Sequence, residues 1–87
     1  MRIKICNVIL EDWGLFAGNI WSRYTSIDCM NSIELHKRKN GWETAFYRDF
    51  MCLESIFSGP KYFSNVDEGK QFIDEWLLRI SKLKAFW

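Results

Sequence analysis

Residues 64–83 leave the chain little choice of architecture. Written on a helix, Val66, Phe72, Ile73, Trp76, Leu77, Ile80 and Leu83 fall on one side as a single apolar stripe. Ser64 reads as the N-cap with Asp67 at the third helical position, so each can satisfy a free amide of the other. Asp67 and Glu68 sit at the positive end of the helix dipole, and Arg79, Lys82 and Lys84 at the negative end. Glu75 and Arg79 have the spacing of a favourable ion pair. A helix with one apolar stripe must lie on something, and the segments before it read as strands. The expectation is a helix covering a sheet, with Gly69 allowing a close approach between them.

The strand readings differ in strength. Residues 2–10 are rich in β-branched side chains and too short for a good helix, so they read as one strand. Glu11, Asp12, Trp13 and Gly14 supply a turn, and residues 15–24 return as a second strand. Leu15, Ala17 and Trp21 share one of its faces; Phe16, Ile20 and Tyr24 share the other. Further on, Asn40-Gly41 is the favoured centre of a two-residue hairpin turn. Folding there sets Arg38 opposite Glu43 and Leu35 opposite Phe46, both favourable cross-strand pairs. A helix over 42–58 competes, since Trp42, Ala45, Phe46, Phe50, Leu53, Ile56 and Phe57 keep helical spacing and Gly59-Pro60 would stop it. The hairpin is the favoured of the two, and a mixed outcome, a strand to about Tyr47 with a helical turn around 50–57, is a third reading; the sequence leaves the choice open. The fold class is therefore α+β: one domain spanning 1–87, with an antiparallel sheet of three or four strands and a long C-terminal helix on one face.

Such a chain must be rich in apolar groups, because a domain of this length buries only about 60–65% of its unfolded surface. It is rich: 48% of the 87 residues are hydrophobic and 17% aromatic, with five Trp and seven Phe. No disulfide or metal is needed. Cys6, Cys29 and Cys52 are odd in number and widely spaced, which reads as reduced thiols in a cytoplasmic protein. No secretory leader and no stretch near the roughly 20 apolar residues of a membrane span is evident.

Catalytic chemistry finds little to work with. His36 is the sole histidine; its neighbours Lys37 and Arg38 and the alternation of the run place it on a solvent face rather than beside a nucleophile. The acidic pairs Glu11/Asp12, Asp67/Glu68 and Asp74/Glu75 are explained by a turn, a helix start and a polar helix face. No glycine-rich phosphate loop and no metal-spaced cluster occurs. The reading is a non-enzyme without cofactor or metal.

Two features remain as binding surfaces. Lys37, Arg38, Lys39 and Trp42 make a cationic hairpin tip with an aromatic beside it. The aromatic surplus offers a second surface: Trp13 in a turn, Leu78 off the helix stripe, and Phe86 and Trp87 at the end. Tyr62 and Phe63 read instead as core or hydrophobic staple. With a net charge of +1, the chain lacks the basic balance of a dedicated nucleic-acid binder. The leading expectation is a non-catalytic protein-binding domain, an inhibitor that sterically blocks a larger protein or nucleoprotein complex. Small proteins of this style recur among viral and mobile-element inhibitors, anti-CRISPR blockers included; size and style alone support that expectation. The alternative is a small nucleic-acid-binding module using the basic tip. A homodimer through a sheet face or edge would accompany either, with no membrane partner.

Overall fold

The computed structural model describes residues 1–5, 8–26, 31–48 and 52–83. Nine elements follow in order: β1 (Ile3–Ile5), β2 (Val8–Leu10), β3 (Gly14–Phe16), β4 (Ile20–Tyr24), β5 (Ser32–Arg38), β6 (Gly41–Tyr47), α1 (Leu53–Ile56), β7 (Tyr62–Phe63) and α2 (Val66–Ser81). Strands β3-β4-β5-β6-β7 form an antiparallel five-stranded sheet in that order, and β1 and β2 pair as a separate ribbon. The architecture is the expected α+β one, but with more strands than the three or four read from the sequence.

Two of the extra strands come from segments that each fold back on themselves, and the third is β7, from the Tyr62 and Phe63 read in the sequence as core or staple. In residues 2–10, Ile3 and Ile5 are buried and so is Leu10, which breaks the alternation a single strand would keep. A hairpin restores it: Ile3 faces Leu10 and Ile5 faces Val8. In residues 15–24, Ala17 (φ 52°) and Gly18 (φ 75°) take left-handed conformations and reverse the chain, so Phe16 pairs with Ile20 and Leu15 with Trp21. Folding back preserves the grouping of faces: Leu15 still shares one with Trp21, and Phe16 with Ile20 and Tyr24.

The β5–β6 hairpin forms, with its register moved. Arg38 pairs with Gly41 and Leu35 with Thr44, so Lys39 and Asn40 occupy the turn in place of Asn40-Gly41. The slip spans two residues, and period-two alternation keeps every side chain on its intended face. Arg38 consequently meets Glu43 diagonally, Nε to Oε1 at 2.9 Å. Among the described residues of the 42–58 segment, the helical spacing yields the single turn α1, whose Leu53 is buried.

Helix α2 begins one residue later than expected. Asn65 rather than Ser64 is the N-cap, accepting from the Glu68 amide, while Ser64 Oγ donates to the Glu68 carboxylate. The helix lies on one face of the sheet. Gly69 permits the approach: a Cβ there would stand 3.1 Å from Leu35 and Phe63 side-chain carbons. Ile73, Trp76, Leu77 and Ile80 join Ile33, Leu35, Phe63 and the ribbon residues Ile3, Ile5 and Leu10 in one buried cluster. Trp76 and Phe57 meet edge to face with centroids 5.0 Å apart. Among the described residues no helix is long and apolar enough to cross a membrane.

One polar atom on this covered face has no partner. Thr44 Oγ1 is buried without a hydrogen bond, and an unmade bond costs the desolvation of the group. Thr44→Val is therefore expected to raise unfolding stability by about 1 kcal/mol, read from the urea midpoint; a loss of stability would show that the hydroxyl is satisfied.

A candidate interface on the open face of the sheet

Helix α2 covers the side of the sheet that carries Trp21, Ile33, Leu35, Trp42 and Phe63. Strand register then fixes what the opposite side displays. Tyr24, Ser32 and Tyr47 stand in one cross-strand row; Ser22, Glu34 and Ala45 in the next, with Gly14 opposite Ser22; Phe16, Ile20, His36, Glu43 and Tyr62 in the third. The middle row is built from small side chains around one carboxylate, and the rows on either side carry rings. The result is a depression of about 450 Å³ lined by Phe16, Ser22, Tyr24, Ser32, Glu34, Tyr47 and Arg48. Its rim is conspicuously open to solvent: Phe16 is 59% exposed and Tyr47 58%, and Tyr62 on the same face is 50% exposed.

Glu34 forms the floor. Its Oε2 accepts from Ser32 Oγ at 3.0 Å, and its Oε1 lies 2.7 Å from His36 Nε2. His36 is thus half-buried and paired, not the exposed residue its cationic neighbours imply. The order of these groups also decides what they can do. The carboxylate lies between hydroxyl and imidazole, so the imidazole is not hydrogen-bonded to the hydroxyl as a general base for it would be. In the neighbouring row Arg38 holds the Glu43 carboxyl below its ordinary range, helped by Lys61 at 3.4 Å. Among the described residues no group of three or more His, Cys, Asp or Glu is arranged to hold a metal.

The hairpin tip is less available than its sequence implies. Lys37 Nζ lies 5.3 Å from the Trp42 ring centre, and that indole packs against the core. Arg38 is engaged with Glu43, while Lys39 is exposed at the turn. Trp13, expected to be accessible, is half-buried: its Nε1 donates to Asp74 at 2.8 Å, and its ring meets the Arg23 guanidinium. Leu78 is 36% exposed on α2. Phe86 and Trp87 lie outside the described residues. The structure brings Lys37 and Trp42 together and does not bring Trp13 or Leu78 to the tip.

The residues that sequence reasoning passed over are Phe16, Tyr24, Glu34 and Tyr47. The signal existed in the alternation of β4, β5 and β6, each of which presents small or polar groups away from the helix. Reading it required the cross-strand register. No protein family matches this chain, and neither a curated protein nor a solved structure does. Function must be argued from this surface.

Proposed function

We propose that this chain is a non-catalytic protein-binding domain whose interface is the uncovered face of the five-stranded sheet. One observation carries the reading: Phe16, Tyr47 and Tyr62 are exposed together on that face, whereas the indoles of Trp13, Trp21, Trp42 and Trp76 are buried or half-buried in the monomer. Exposed rings around a polar centre are what protein interfaces use as anchors, because a Tyr or Phe supplies large contact area with few torsions to immobilise. A sheet covered on one side only also presents a firm surface that needs no rearrangement to bind. Steric occupation of a larger protein or nucleoprotein complex, the anti-CRISPR mode included, requires nothing more of it.

The nucleic-acid reading is the weaker one on this surface. Glu34 stands at the centre of the open face and would repel phosphates, and the tip cations Lys37 and Arg38 already have partners. A photo-crosslinking residue placed at Tyr47 or Phe16, with Gln71 and Glu75 on the exposed side of α2 as controls, tests the proposal in cells that make the protein. Discrete protein adducts from the sheet positions alone are expected. Adducts of equal strength from the helix positions, or adducts to nucleic acid, would sink it.

A further inference from the structure

The depression around Glu34 is more selective than the face it lies in. Tyr24 and Tyr47 flank it from strands separated by β5, so their backbones are two strand spacings, about 10 Å, apart. A flat group with a ring on each side needs about 7 Å, twice the optimal carbon contact distance. The gap therefore suits one planar group between the tyrosines. Ser32 stands between the two tyrosines and donates to Glu34 in the next row, and the two Glu34 contacts use about two of roughly four acceptor positions on the carboxylate, which leaves about two for a ligand.

Charge then selects the ligand. Glu43 is claimed by Arg38 and Lys61, but the structure sets only an imidazole against Glu34 among the described residues. Arg48 also lines the depression, yet its side chain belongs to an exposed residue at the end of β6, where solvent screens its charge. The floor carboxylate is half-buried and is screened less. Rim charges steer an approach, whereas a partly desolvated charge at the floor decides what fits. The group that is flat, cationic and able to donate two parallel hydrogen bonds to a carboxylate is a guanidinium, which also stacks on aromatic rings.

We propose that this depression is a socket for an arginine side chain presented by the protein partner. The inference rests on the open face being the interface and adds the chemistry that the partner must show there. An arginine flanked by small or apolar residues would place its head over Glu34 and leave Phe16 and Tyr47 to cover the neighbouring positions.

The test is an amide-resolved NMR titration of the whole chain with capped pentapeptides. Each carries arginine, lysine or citrulline between paired glycines. Citrulline keeps the shape of arginine and removes its charge. Saturable shifts confined to the amides of Ser22, Glu34, Ala45 and Tyr47 are expected at millimolar arginine peptide, with lysine several-fold weaker and citrulline inert. Glu34→Gln keeps the side-chain volume and is expected to weaken binding about tenfold or more, the size of losing a charge-assisted pair; amides on α2 report that the fold is intact. Equal binding of citrulline, an unaltered response in Glu34→Gln, or shifts centred on Lys39 would each overturn the socket. So would shifts at the same amides on concentrating the protein alone, since a second copy would then be the occupant. If the peptides fail while crosslinks from Tyr47 persist, the interface stands and the arginine assignment falls. If both fail, the interface falls as well.

Discussion

Replacing Arg23 by alanine is expected to remove about 3–5 kcal/mol of stability, the range for leaving a buried charge without its partner. Arg23 is 1% exposed, yet each nitrogen of its guanidinium has a partner. Nε donates to Asp74 Oδ1 at 2.8 Å, and Nη1 donates to the carbonyls of Met1 at 2.7 Å and Glu11 at 2.8 Å. Nη2 lies 3.5 Å from Asp12. One side chain on β4 thus ties the sheet to α2 and to the open end of the β1–β2 ribbon, where the chain enters and leaves it. Alanine leaves the Asp74 carboxylate held by Trp13 Nε1 and orphans two carbonyls. At about 0.05–0.15 kcal/mol per residue, a domain this small has on the order of 4–13 kcal/mol in total. The variant should unfold at far lower urea than the parent, followed by far-ultraviolet circular dichroism. Arg23→Lys should recover only part of the loss, because an ammonium cannot span three acceptors in a planar fork. A midpoint for Arg23→Ala within about 1 kcal/mol of the parent would show that water replaces the guanidinium at no great cost.

Arg23 also marks where sequence reading stops. In the run Ile20-Trp21-Ser22-Arg23-Tyr24 nothing distinguishes it from an ordinary surface cation, and its partner Asp74 lies 51 residues further on. The amphipathic pattern of α2, by contrast, is local and repeats over several turns, so the helix and its apolar stripe as far as Ile80 were readable directly, while Leu83, read as part of the stripe, lies past the helix end and is exposed. Face assignments in residues 15–24 and in the hairpin were readable too, because alternation survives a reversal that pairs Phe16 with Ile20 and a two-residue register slip, whereas the reversal that pairs Ile5 with Val8 shifts it by one. Strand number was not, since three-residue strands such as β1, β2 and β3 carry too few side chains to announce their ends. The open-face depression falls between these cases. Its residues come from four strands, β3 to β6, and are individually unremarkable in sequence; only the pairings of Phe16 with Ile20, Ser22 with Glu34 and Ser32 with Tyr47 assemble them.

The fold also divides its described aromatic rings by size. Indoles are the largest side chains available to so small a core, and the fold spends them there: Trp76 is buried, Trp21 is covered by Lys70 at 3.2 Å from its ring centre, and Trp42 by Lys37. Among the described residues the exposed rings are the smaller ones on the face that no helix covers, Phe16, Tyr47 and Tyr62. That division makes core and proposed interface separable by mutation, since Phe16 and Tyr47 can be truncated without opening the cluster around Trp76.

Gly41→Ala is expected to cost about 3 kcal/mol, the sum of a strained backbone and an overpacked contact. Asn40-Gly41 was the strongest local turn signal, and both residues should then take positive φ. In the structure neither Lys39 nor Asn40 does; Gly41 alone does, at 136°. The reason lies in β7, which runs beside it: a Cβ on Gly41 would stand 2.4 Å from the Phe63 carbonyl oxygen. That oxygen is backbone, at the strand pairing where Trp42 meets Phe63, so it cannot yield without parting β6 from β7. Glycine is thus required twice, by conformation and by space. Gly18 provides the control, because it too has positive φ, 75°, but nothing lies within 4 Å of its added Cβ. Gly18→Ala should lose only about 1 kcal/mol, the left-handed penalty of an L-residue. If urea unfolding shows the two variants equally destabilised, the contact with Phe63 contributes nothing and the turn conformation alone explains the glycine.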